Sequence, residues 1–193
     1  MKFVKNIFGG LLLLLSLGAV IFAVKLNTIF QFGGSYGIET NEEIIDFKLK
    51  NINGGYFQLN DIKGNLVYLY FGYTNCPNLC PLRMSNLLQL SKKITRKDIR
   101  YIYITIDPAE DTETKLIAFS KELGEKFLVL YGDSETIKVI TKKYKIFYES
   151  LEENQWNHSD KLYLLDKDLR IRLIYLTSHN DISKMKEDLD QFQ

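Results

Sequence analysis

The feature that most constrains the fold is a long apolar run that leads directly into the two cysteines of the chain. The run LVYLYFGY, residues 66–73, has no charged residue and is rich in aromatic side chains. Such a run is typical of a strand buried on both faces of a sheet. Cys76 and Cys80 follow it, and Pro81 then begins a segment with helical spacing. The sequence therefore places both cysteines where a buried strand passes into a helix.

Strand and helix patterns alternate along the rest of the chain. Further buried strands are predicted over residues 99–107 and 126–132, each followed by a helix, and a hairpin with a final helix closes the sequence. This order predicts an α/β domain on a mixed central sheet. A dithiol at the junction of the first long strand and a helix is the arrangement of thioredoxin-like folds, so we predict a thioredoxin-like domain over residues 43–193.

The N-terminus has a different character. Residues 7–24 are uncharged and mostly apolar. About 20 apolar residues span a bilayer as a helix. The apolar part of a signal peptide is usually shorter and ends in a small-x-small cleavage site, for which Ile21-Phe22-Ala23 is a poor match. We predict a transmembrane anchor over residues 1–25 and a tether over 26–42, with a cleaved signal peptide as the alternative.

The charges around the apolar run predict its orientation. Lys2 and Lys5 precede it and only Lys25 follows it, which favours a cytoplasmic N-terminus. The six residues before the run leave no room for an organelle transit peptide. We therefore predict a single-pass protein of a bacterial inner membrane with its domain in the periplasm. A net charge of +1 gives no indication of nucleic-acid binding.

Three interpretations of the cysteine pair compete: a structural disulfide, a redox-active dithiol and part of a metal site. A disulfide across so short a loop would constrain the unfolded chain little. A helix N-terminus favours thiolates, which both attack disulfides and bind soft metals. Dithiol oxidoreductases space their cysteines by two residues, whereas three separate Cys76 from Cys80. No proline follows Pro108, although thioredoxin-like oxidoreductases carry a late cis-proline, so general disulfide exchange is disfavoured.

The two histidines are the candidates for a further metal ligand. His158 lies in a polar loop, residues 151–160, which we expect to be exposed and to fold over the sheet end that carries the dithiol. His179 is expected to lie near the start of the last helix without a role in metal binding. Two thiolates and one imidazole suit copper, especially Cu(I), whereas structural zinc usually has four protein ligands.

Three segments together resemble the Sco/SenC family of membrane-anchored copper chaperones. YFGYTNCPNLCP is similar to the family motif F-G-Y/F-T-x-C-P-x-x-C-P, YITIDPAEDT to its D-P-x-x-D-T segment, and NHSDKLYLLDKD to its D/N-H-S…Y-L-x-D segment. The resemblance covers roughly residues 44–189. It implies a thioredoxin-like fold and Cu(I) or Cu(II) bound through Cys76, Cys80 and His158.

The resemblance also implies a role and partners. The family delivers copper during assembly of the binuclear copper site of cytochrome c oxidase, so the implied partners are the copper-site subunit of that oxidase, other copper chaperones or donors, and the membrane. The role would be that of a metallochaperone rather than a turnover enzyme. One alternative is a thiol-disulfide reductase that uses the Cys76–Cys80 dithiol to keep a partner's cysteines reduced, and another is a copper or redox sensor.

The chain departs from the family at three positions, and four other residues near the motifs are expected to have structural roles. Many members have histidine at the position of Asn75 and aspartate at the positions of Asn78 and Asn157. Within the D-P-x-x-D-T segment, Asp111 or Thr112 is expected to cap the following helix. Two aromatic residues near the site are expected to serve mainly in packing: Tyr73 and Trp156.

Overall fold

The computed structural model describes residues 16–22, 34–77, 79–150 and 156–192. The chain divides into two compact units, Met1–Gly34 and Ser35–Gln193. In the first unit, residues 16–22 form helix α1. No helix within the described ranges is long and apolar enough to cross a bilayer. The other residues of the predicted anchor lie outside the described residues, and the anchor stays a prediction.

The second unit contains the strands and helices that carry the cysteines. Its described strands are β1 Ile38–Glu43, β2 Lys48–Asn51, β3 Tyr56–Gln58, β4 Leu66–Gly72, β5 Ile99–Thr105, β6 Phe127–Tyr131, β7 Tyr148–Ser150, β8 Trp156–His158, β9 Leu162–Leu165 and β10 Arg170–Tyr175. Its described helices are α2 Leu79–Lys93, α3 Glu113–Leu123, α4 Ser134–Lys143 and α5 Ile182–Leu189, with a short 3-10 helix at Leu59–Ile62.

Eight of these strands form one mixed sheet in the order β1-β10-β9-β4-β5-β6-β2-β3. The central strands β4, β5 and β6 are parallel. The strands on either side of them are antiparallel to their neighbours. Strands β7 and β8 pair separately. This is the mixed α/β sheet that the alternation of strand and helix patterns predicts.

Strand β4 occupies the centre of the sheet, as its apolar sequence predicts. All seven of its residues are buried, between β5 on one side and β9 on the other. The strand ends at Gly72, where a Cβ atom would lie only 3.1 Å from the Cys80 sulfur. A residue without a side chain therefore lets the end of β4 approach the start of α2 closely.

All but the last residue of strand β1 lies within the segment, residues 26–42, that the sequence predicts as a tether. It pairs antiparallel with β10, with Ile38 opposite Ile174. Just before it, the backbone N–H groups of Tyr36 and Gly37 donate to the carboxylate of Asp188 on α5. The strand is largely exposed or half-buried, so no apolar alternation marks it in the sequence. Its partner lies more than a hundred residues away, and local pattern reasoning does not detect such a pairing.

Candidate metal centre

Three elements converge where β4 passes into α2. Cys76 lies in the turn after β4, Cys80 is the second residue of α2, and His158 ends β8. The two sulfurs and one imidazole nitrogen all lie within 4.8 Å of one another. The His158 Nε2 atom is 3.8 Å from the Cys76 sulfur and 3.5 Å from the Cys80 sulfur. The structure thus brings together the three residues that the sequence selects as metal ligands.

The backbone of the turn directs both cysteines inward. The Cys76 N–H donates to the Tyr73 carbonyl at 3.2 Å, and the Cys80 N–H donates to the Cys76 sulfur at 3.4 Å. The latter N–H belongs to the first turn of α2, where backbone donors have no partner within the helix. The helix N-terminus therefore stabilises negative charge on the Cys76 sulfur.

His158 is buried at the end of β8 rather than exposed in a loop as the sequence predicts. It is 8% exposed and pairs with Tyr148 across the β7–β8 ribbon. Its Nδ1 atom lies 3.1 Å from the Ser159 carbonyl oxygen. Because a carbonyl only accepts hydrogen bonds, Nδ1 carries the proton in the neutral ring, and the Nε2 lone pair faces the sulfurs. This is the tautomer that a metal-binding imidazole needs.

The protonation of the cluster follows from its contacts. Hydrogen bonding to Cys76 and burial raise the pKa of the Cys80 thiol well above its usual range. Burial lowers the pKa of His158, but hydrogen bonds with Cys76 and Ser159 outweigh it, so the net pKa is raised. Without a metal, Cys80 therefore keeps its proton beside Cys76. A metal ion that binds both sulfurs must displace that proton.

The donor set can be tested for fit to a soft metal. Bond lengths of about 2.3 Å to sulfur and 2.0 Å to nitrogen, at an angle of about 110–120°, separate the two donor atoms by roughly 3.5–3.7 Å. The observed sulfur–nitrogen distances are 3.5 and 3.8 Å. Both sulfur–nitrogen distances therefore suit an ion shared by a sulfur and the imidazole, and two sulfurs with one imidazole favour Cu(I).

Two other residues near the site have packing or backbone roles. The buried Tyr73 ring packs edge-on against the His158 ring, with 5.6 Å between the centroids. His179 accepts a hydrogen bond from the Leu176 N–H at 3.1 Å, and its ring packs edge-on against that of Tyr36. His179 is not in the ligand cluster. The Trp156 side chain lies outside the described residues.

Of the two residues expected to cap α3, Thr112 is the cap and Asp111 has another role. Thr112 caps α3 by accepting from the Lys115 N–H. The Asp111 carboxylate instead accepts from the Thr74 N–H at 3.1 Å and from the Thr74 and Thr105 hydroxyls. It therefore ties the turn that precedes Cys76 to the end of β5.

Sequence reasoning missed a polar network beside the ligands. Arg83 on α2 forms an ion pair with Asp160, 2.8 Å between nitrogen and oxygen, and both side chains are buried. The Tyr70 hydroxyl lies 3.4 Å from Asp160 and 3.5 Å from the Cys80 sulfur. The available signal was position, because Arg83 follows Cys80 by one helical turn and Asp160 follows a ligand histidine by two residues.

Comparison with known proteins identifies the family. Residues 37–192 match the family model for SCO1/SenC. The chain belongs to the SCO1/SenC family. An SCO2-like protein of Rickettsia felis is 34% identical over 165 residues, 80% of each chain. An SCO2-like protein of Rickettsia prowazekii is 31% identical over 193 residues, 94% of this chain and 92% of the relative.

Solved structures of the family share the fold. Arabidopsis thaliana ScoI, determined with copper bound, has a TM-score of 0.69 and 26% identity, over 77% of this chain and 98% of that chain. BsSco, described as having a disulfide switch and as a member of the Sco family of cytochrome c oxidase assembly proteins, has a TM-score of 0.68 and 25% identity, over 81% of this chain and 96% of that one. These likenesses confirm the predicted thioredoxin-like α/β fold.

Proposed function

We propose that this SCO1/SenC protein is a copper metallochaperone whose ligands are Cys76, Cys80 and His158. The observation that carries the proposal is the convergence of two sulfurs and a correctly oriented imidazole nitrogen within 4.8 Å. A copper-bound structure of the Arabidopsis relative supports the choice of metal. Copper is the cargo, so the site must both hold it and release it.

The geometry supports loading and transfer by ligand exchange. Copper entering the cluster displaces the Cys80 proton and any proton on His158 Nε2, and the neutral imidazole then adds Nε2 as the third donor. A three-coordinate ion keeps room for a ligand from a partner. The description of BsSco as a cytochrome c oxidase assembly protein supports the copper-site subunit of that oxidase as the recipient.

Metal titration of the reduced second unit, Ser35–Gln193, tests this proposal. One Cu(I) should bind per chain, and X-ray absorption should show two sulfurs and one nitrogen. His158→Ala should weaken binding and remove the nitrogen, because no other imidazole lies in the cluster. His179→Ala is the matched control and should bind as wild type. Wild-type affinity in His158→Ala, or loss of binding in His179→Ala, would show that the proposed site is wrong.

A second candidate function is reduction of a partner's disulfide. The Cys76 and Cys80 sulfurs are adjacent, with the Cys80 N–H donating to Cys76, and a disulfide switch is described for BsSco. Two thiols would give two electrons and two protons to the partner disulfide and become a disulfide themselves. Robust reduction of insulin that disappears in Cys76→Ser/Cys80→Ser would rank this function first. We expect wild type to be nearly inactive in that assay.

Membrane attachment is the remaining part of the proposal. Residues 1–25 are proposed to anchor the chain in a bacterial inner membrane, with the thioredoxin-like unit in the periplasm. Support comes from the uncharged run at residues 7–24 and the lysine bias around it. A reporter fused after Gln193 should be active only outside the cytoplasm, and the full chain should stay with membranes at high salt. Cytoplasmic reporter activity contradicts the orientation, and a shortened soluble form indicates a cleaved signal peptide.

A further inference from the structure

A buried ion pair lies next to the candidate metal centre and has no role in the proposed ligand set. The Arg83 and Asp160 side chains are 2% and 8% exposed. Burying two charges costs desolvation free energy, and the attraction between the charges often does no more than offset that cost. A buried ion pair is therefore weak evidence that it stabilises the fold. Its position, rather than its contribution to folding, is the feature that needs an explanation.

The Asp160 carboxylate joins several separate segments of the second unit. Its Oδ2 atom accepts from Arg83 Nη2 at 2.8 Å and from the Thr177 hydroxyl. Its Oδ1 atom lies 3.4 Å from both Arg83 Nε and the Tyr70 hydroxyl. Arg83 Nη1 also donates to the His179 carbonyl at 3.4 Å. One carboxylate thus connects β4, α2 and the turn after β10 to the segment that follows β8.

These segments include the ones that supply the ligands. Arg83 lies one helical turn beyond Cys80 on α2, and Asp160 lies two residues beyond His158. The Tyr70 hydroxyl contacts both the Cys80 sulfur, at 3.5 Å, and the Asp160 carboxylate, at 3.4 Å. The ion pair therefore fixes the spacing between the helix that carries a thiol ligand and the strand that carries the imidazole.

We propose that Asp160, held by Arg83, Thr177 and Tyr70, is a positioning residue for the candidate metal centre. It holds the segment that contains His158 against α2, so that Nε2 faces both sulfurs before a metal binds. The expected effect on metal binding rests on the proposed copper function. A preformed site binds metal without the cost of ordering the segment around His158. The positioning itself applies to the reduced, metal-free protein as well.

The key variant removes the ion pair without leaving a charge buried alone. Asp160→Asn alone would leave Arg83 unpaired and confound positioning with stability. Arg83→Met/Asp160→Leu replaces both charges with apolar groups of similar size, which is often neutral for stability. The matched control is Arg96→Met/Asp98→Leu, which removes a partly exposed ion pair beyond the opposite end of α2.

Two measurements are made on each variant in the full chain. The first is amide hydrogen exchange in the reduced, metal-free protein at Ser159, whose N–H donates to the Phe147 carbonyl at 2.8 Å. The second is Cu(I) affinity by competition with a chromophoric chelator. With a melting temperature close to wild type, Arg83→Met/Asp160→Leu should exchange faster at Ser159 and bind Cu(I) about 10–100-fold more weakly. The control should change neither.

The outcomes separate this inference from the proposed function. Wild-type exchange at Ser159 in the double variant overturns the inference whether or not the protein binds copper. Faster exchange with unchanged affinity overturns the claimed consequence for metal binding. Failure of wild type to bind Cu(I) overturns the proposed function, while the exchange data still decide whether Asp160 holds the segment. If the double variant does not fold, Thr177→Val, which removes one donor to the carboxylate, is measured instead, and wild-type values there overturn the inference.

Discussion

Replacement of Asp111 by alanine tests whether this carboxylate supports the turn that carries Cys76. The side chain is 3% exposed and accepts from the backbone N–H and hydroxyl of Thr74 and from the hydroxyl of Thr105. Alanine would leave the Thr74 N–H and the buried Thr105 hydroxyl without these acceptors. The Thr74 N–H cannot turn elsewhere, because the backbone fixes its direction.

The magnitude follows from those two donors. A buried donor that loses its partner costs about 1–3 kcal/mol. Burial raises the pKa of Asp111 despite its hydrogen bonds with Thr105 and Thr74, so burying the ionised carboxylate already costs free energy in wild type. Its removal recovers part of that free energy, and we expect a value in the lower part of the range obtained by adding the two donors. We expect Asp111→Ala to lower the free energy of unfolding by about 2–4 kcal/mol. In a domain of this size, that corresponds to a fall in melting temperature of roughly 4–16 °C.

Calorimetry of the reduced second unit measures the effect, with Thr112→Ala as the control for capping of α3. The control removes an ordinary helix cap and should cost about 1 kcal/mol. Asp111→Asn keeps an acceptor for Thr74 and should cost less than Asp111→Ala. Because Thr74 lies two residues before Cys76, only Asp111→Ala should also weaken Cu(I) binding. If Asp111→Ala costs no more than Thr112→Ala and binds copper normally, the carboxylate has no role in supporting this turn.

Three further predictions concern other contacts. The hydrogen bond from Arg96 lowers the pKa of Asp98 to about 2. Wild type should therefore be more stable than Asp98→Asn above about pH 4, the usual pKa of aspartate in the unfolded chain. Urea unfolding should show this difference disappear as the pH falls toward 2. Gly72→Ala places a Cβ 3.1 Å from the Cys80 sulfur and should weaken Cu(I) binding. Gly132→Ala has its closest contact, 2.8 Å, with the flexible end of Leu49 and should leave binding unchanged. Tyr70→Phe removes a hydrogen bond available to reduced Cys80 and should shift the dithiol–disulfide potential by about 10–30 mV to more negative values in a glutathione redox buffer, and an unchanged potential would contradict that contact.

The central part of the fold was predictable because its signal is local. The run that forms β4 is apolar at nearly every position, and this pattern is typical of a strand buried on both faces. The following cysteines then had to lie at the start of α2. By contrast, β1 is largely exposed and depends on pairing with the distant β10, so no local pattern indicated it.

The metal centre was predictable in composition but not in its surroundings. His158 was selected from its place before a late strand and from family resemblance, but its burial accompanies contacts with Tyr73 and the two cysteine sulfurs, which the sequence does not reveal. The burial of Arg83 and Asp160 was also unexpected, because charged residues are almost always exposed unless they are paired. Whether two charges pair across the fold depends on its three-dimensional arrangement and not on local spacing.

The burial of both cysteines beside His158 supports our proposal that this dithiol serves a metal rather than general disulfide exchange. Exchange requires a partner sulfur to approach one of the cysteine sulfurs along an open path. Here the imidazole lies 3.5 Å from the Cys80 sulfur and 3.8 Å from the Cys76 sulfur, and both cysteines are buried. The same ring offers a lone pair to any ion held by the two thiolates. A thiolate can therefore attack a partner disulfide only if the site opens, whereas a soft metal ion can use the ring as a ligand.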